Sequence, residues 1–121
     1  MVLLPVSINK IPSIYEMIGN DNLREFVKSI LKDNLNVITD ENNRLIELLR
    51  KKDYSIFDQN FNIDEFLERV DNLKETLKIL LDNFKSDKDL YFIVDELYTQ
   101  ILKLDYNINT LYSLRELENE D

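Results

Sequence analysis

The sequence predicts an all-α protein: an antiparallel helical bundle of four main helices plus a short N-terminal one. Three observations carry this expectation. The 121 residues include one glycine and two prolines, too few for the many tight turns of a sandwich or barrel. Hydrophobic residues make up 44% and charged ones 32%, a balance in which apolar burial can offset chain entropy. Between residues 62 and 117 apolar side chains recur in steps of three and four, the period of a helix. A chain this long fits one domain, 1–121, by size.

Residues 1–12, MVLLPVSINKIP, are apolar but lack a basic leader, a long hydrophobic run and a small-residue cleavage site. They read as an extended segment and not as a signal peptide. Beyond them, five helix starts follow from capping chemistry. A Ser, Thr, Asn or Asp oxygen takes an orphan N–H, and an acidic residue follows close behind. The five are Ser13 with Glu16, Asn22 with Glu25, Thr39 with Asp40 and Glu41, Asn62 with Glu65, and Ser86 with Asp89.

The first helix is short, about 13–18, and Gly19 sits where a left-handed residue would stop it. The second, about 22–34, gathers Leu23, Phe26, Val27, Ile30 and Leu31 on one inward face. The third, about 40–52, does the same with Leu45, Ile46, Leu48 and Leu49. It ends in Arg50, Lys51 and Lys52, which suit the negative end of a helix dipole. The fourth, 62–84, carries a heptad seam of Ile63, Phe66, Val70, Leu73, Leu77, Leu80 and Phe84. The fifth, 86–117, repeats it with Leu90, Val94, Leu97, Ile101, Leu104, Ile108 and Leu111. So short a joint between two heptad helices predicts a coiled-coil-like antiparallel hairpin.

The fifth helix also carries a second stripe, Tyr91, Tyr98, Leu102, Tyr106 and Tyr112. A hairpin buries one stripe per helix, so the second and third helices are expected to shelter this flank. The tail 118–121 stacks acids at a helix C-terminus, where the dipole disfavours them, and is expected to fray.

Composition excludes much chemistry. With no cysteine and no histidine, the usual zinc, haem and di-iron ligands and the Ser-His and Cys-His nucleophile systems are missing. Asp58, Asn60, Asn62 and Asp64 have the alternation of a calcium loop, but Ile63 stands where its glycine is needed and Arg69 where its closing glutamate belongs. The expectation is therefore no cofactor, no metal and no enzyme. A net charge of −9 argues against direct binding to nucleic acid or to anionic membranes. No apolar run approaches the roughly 20 residues of a membrane span. A cytoplasmic protein from an AT-rich genome fits the Asn, Ile and Lys bias, the host cytoplasm being the site if a virus encodes it.

Two functions are compatible with this. The first is a non-enzymatic interaction module, an adaptor, assembly subunit or inhibitor, docking a protein partner through Tyr54, Phe57, Phe61, Tyr98, Tyr106 and Tyr112, since Tyr and Phe carry much interface energy. Homodimerisation fits the same pattern, and the chain's acidity would attract a partner with a basic surface. The second is an acidic mimic of nucleic acid, phage- or virus-encoded, that blocks a DNA- or RNA-binding protein such as a host-defence nuclease through Asp95, Glu96 and Asp105. Many other acids fall at helix starts, where they stabilise the dipole.

Overall fold

We describe residues 11–58 and 60–119 of a computed structural model of the chain. They form four helices and no strand: α1 (Ile14–Met17), α2 (Asp21–Lys51), α3 (Ile63–Asn83) and α4 (Lys88–Asn119), with a 3₁₀ turn at Ser55–Phe57. No helix among them is long and apolar enough to cross a membrane. The expected extended segment lies outside the described residues except at Ile11 and Pro12, which carry no regular structure. Of the tail expected to fray, Glu118 and Asn119 continue α4, while Glu120 and Asp121 lie outside the described residues.

The expected four main helices are three. The second and third expected helices are one helix, α2, of 31 residues, roughly 46 Å long. Thr39, Asp40 and Glu41 do not start a helix. The stripe that holds α2 together is Val27, Leu31, Asn34, Ile38, Glu41 and Leu45, all buried and spaced by alternate steps of four and three. Two of its members are polar, so the apolar pattern alone breaks where the packing does not. Asn34 meets its needs within the helix, its Nδ2 donating to the Ile30 carbonyl at 3.1 Å, the local bond by which such a residue is tolerated inside a helix.

The caps shift by a residue or two. Asn20, not Asn22, caps α2, its side chain accepting the Leu23 N–H at 3.1 Å. Asn62 caps α3 as expected, accepting from Glu65 at 3.0 Å. Asp87 serves α4 in place of Ser86, accepting the Leu90 N–H at 3.3 Å. Ser13 precedes α1 without a side-chain cap bond. Gly19 does take the left-handed conformation, φ 72°.

The core is continuous and centred on α4. All seven seam residues from Leu90 to Leu111 are buried, as are Phe66, Val70, Leu77 and Leu80 of α3 and Phe84 at its C-cap. α4 is packed on two sides, by α2 and by α3. Contacts between α2 and α4 ascend together along both helices: Arg24 with Asp87, Asn42 with Gln100 and Asn107, and Tyr54, just past α2, with Glu118. On the other side Lys74 of α3 pairs with Asp105.

This changes the place of the second stripe. The side of α4 that meets α2 carries Gln100 and Asn107, which fall with Ile93 at steps of seven. The tyrosine flank is not uniformly sheltered: Tyr98 and Tyr112 are half-buried against the core, whereas Tyr91, Leu102 and Tyr106 are exposed. Phe26 and Ile46 of α2, expected to face inward, are exposed as well.

Candidate functional site

Four of the six aromatic candidates gather at one end of the fold. The link from α2 to α3 turns through Ser55–Phe57 and drives Phe57 into the core. Its ring meets Phe61 and Tyr112 edge-on, each at 5.3 Å between centroids, and Phe61 lies 5.5 Å from Phe66. The Arg115 guanidinium sits 5.8 Å over the Phe57 ring, a favourable cation–π distance. Tyr54 donates its hydroxyl to Glu118 at 3.0 Å, and burial followed by that carboxylate pushes its pKa up. These contacts close the end of the bundle over the last turns of α4. Tyr98 is also engaged, half-buried against the core.

Tyr106 is the exception, at 71% exposure. It stands between two recesses on the outer side of α4. One, about 440 Å³, runs between α2 and α4, with Ile46, Leu102 and Tyr106 on its rim. The other, about 330 Å³, continues along α4 past Thr110 and Ser113 to Leu114. The larger recess has a polar floor, where Asn42 donates through Nδ2 to the Gln100 carbonyl at 2.9 Å and to Gln100 Oε1 at 2.8 Å. Asn107 in turn donates to Asn42 Oδ1 at 3.2 Å. Asn42 and Asn107 are buried, and burying amides costs little only when they are paired in this way.

The charge of this face departs from that of the chain. Among the described residues lining the two recesses none is Asp or Glu, and the one charged side chain is Lys103. A chain of net charge −9 thus presents an apolar and amide surface free of acid. Asn42, Gln100 and Asn107 carry a sequence signal of their own, polar residues at seam spacing, which a search for apolar periodicity passes over.

The three acidic candidates are not brought together. Asp95 is exposed and Glu96 half-buried, and neighbouring helix residues diverge by about 100°. Asp105 is tied to Lys74, whose pKa it raises through their hydrogen bond. A second acidic centre lies where α2 begins: Arg24 grips Asp87 with two bonds of 2.7 and 2.9 Å and reaches Asp89 at 3.4 Å. Arg24 holds the Asp87 carboxyl below its ordinary range. Among the described residues no group of three or more acids could hold a metal.

Compared with known proteins, the chain matches no family model, no curated protein and no solved structure.

Proposed function

We propose that this chain is a non-enzymatic protein-protein interaction module that docks a protein partner on the α2–α4 face around Tyr106. The observation that carries the reading is the grouping of Ile46, Leu102 and Tyr106, exposed at 54, 43 and 71%, around one recess. Large apolar side chains clustered beside a recess and rimmed by amides are the composition of a binding surface. A ring such as Tyr106 offers a large contact area at small entropic cost. We read α3 and α4 beneath it as a coiled-coil-like antiparallel hairpin, which the buried heptads and the short joint at 84–87 support. The hairpin is the rigid scaffold on which α2 and the docking face rest.

The test is affinity capture from the source cells, comparing the native chain with Leu102→Glu/Tyr106→Glu and with Asp95→Asn/Glu96→Gln. Docking on this face predicts a partner lost by the first variant and kept by the second. The reverse pattern would move the function to the nucleic-acid mimic, whose binding relies on acids and weakens as salt rises. Both pairs are exposed or half-buried, so circular dichroism should report native helix content in each.

A further inference from the structure

Building on the docking face just proposed, we infer that its occupant is a second copy of this chain, with two α4 helices meeting antiparallel about Tyr106. Charge is the first reason. Two bodies of net charge −9 repel wherever their acids approach, and the recesses beside Tyr106 are lined without Asp or Glu, so repulsion is least where these faces meet. Shape is the second. Tyr106 belongs to both recesses and projects between them, an arrangement of hollow, knob and hollow. A two-fold axis beside it places each ring in the other copy's hollow, the self-match that an isologous contact requires.

Register is the third reason. In an antiparallel meeting centred on Tyr106, each residue a given number of places before it faces the residue as many places after it. Leu102 then faces Thr110, Thr99 faces Ser113, and Lys103 faces Asn109, so no like charges are opposed within 99–113, and the first such pair, Glu96 with Glu116, falls ten places from the centre. The strip is short, roughly 24 Å of helix from Thr99 to Leu114. It falls below the ~800 Å² per partner of a standard stable interface, so the association is weak and concentration-dependent, on the order of micromolar or weaker.

Sedimentation equilibrium of the full chain, from micromolar to near-millimolar concentration, tests this. The expected result is a monomer–dimer equilibrium that tightens as salt screens the repulsion between copies. Tyr106→Glu and Ile46→Glu, on opposite sides of the larger recess, should each weaken it tenfold or more, and Ile79→Glu, exposed on α3, should leave it unchanged. A monomer at every concentration overturns the inference, as does a dimer that loosens with salt or is lost in Ile79→Glu. If such a monomer still captures a protein that Leu102→Glu/Tyr106→Glu cannot, the second copy fails and the docking face stands. If capture is also unaffected by that variant, both fail.

Discussion

The two sides of α4 are built from different materials. Toward α3 the contact is apolar, with Phe66, Val70, Leu77 and Leu80 buried and the Lys74–Asp105 ion pair beside them. Toward α2 polar ties recur along the whole length, from Arg24–Asp87 through Asn42, Gln100 and Asn107 to Tyr54–Glu118. An apolar seam supplies burial but tolerates sliding, because one leucine fits a neighbour's place nearly as well as another's. A buried amide does not: moving α2 by one turn would strand Asn107 without its acceptor. The α3 side therefore contributes through burial, whereas the α2 side, which adds Val27, Leu31, Ile38 and Leu45 to the same core, also sets position and leaves a groove.

The largest expected effect lies on the apolar side. Leu77 is wholly buried, and Leu77→Ala removes burial and leaves a cavity, at a cost of about 3 kcal/mol. Urea unfolding followed by circular dichroism reads this directly. A loss under about 1 kcal/mol would mean that the seam collapses around the gap and that the contrast between the two sides is false.

Next is the tie at the start of α2. Asp87→Asn removes a charge-assisted pair and is expected to cost about 2 kcal/mol at neutral pH. The pH dependence has a definite sign. The folded Asp87 carboxyl titrates below its ordinary value, chiefly because Arg24 donates to it. Its contribution is complete above the unfolded value of about 3.9 and fades as pH falls through the lower folded one. Melting curves of the two proteins should converge as pH drops below about 4. A gap that stays constant to the lowest pH would show that the carboxylate's charge contributes nothing.

A smaller effect tests the amides. Asn42→Ala strands Asn107 and should cost about 1.5 kcal/mol, whereas Asn42→Leu/Asn107→Leu should cost less, because no buried amide is left stranded. The half-buried Gln100, which loses Asn42 as a donor, can turn to water. The double variant sharpens the comparison further. If the amides set position more than stability, it should fold normally yet show faster hydrogen exchange along the middle of α2. Unchanged exchange would assign the register of α2 to its apolar residues alone.

The same contrast explains what could be read in advance. The α3 and α4 seams were legible because every member is apolar at steps of three and four, and all of those in α4 are buried. The continuity of α2 was hidden by Asn34 and Glu41, which hold stripe positions, and by Thr39 and Asp40, which imitate a cap. The face of α4 toward α2 was hidden in the same way by Gln100 and Asn107. Tyr106 could be named from sequence as a binding candidate but not told apart from Tyr54, Phe57, Phe61 and Tyr112. The difference between them arises from a link that folds back over the end of α4, where Phe57 meets Phe61 and Tyr112, and local periodicity does not encode that.

The smallest expected effect is a gain, at the point where α2 ends. α3 closes on Phe84 with φ −100°, an ordinary conformation, but α2 closes on Lys52 with φ 54°. There the Lys52 N–H donates to the Leu49 carbonyl at 3.3 Å and the Asp53 N–H to the Leu48 carbonyl at 2.9 Å, which satisfies carbonyls at the helix end. The bonds require the left-handed turn, and a side chain there costs about 1 kcal/mol that glycine avoids. Against this, Lys52→Gly loosens the unfolded chain and removes one positive charge from the negative end of the helix. The exposed lysine makes the charge loss small, so the net expectation is a stabilisation of about 0.5 kcal/mol. Lys52→Ala separates the two causes, since it removes the charge and keeps the strain. If Lys52→Gly proves no more stable than Lys52→Ala in urea unfolding, the turn is not strained, and α2 ends as comfortably as α3.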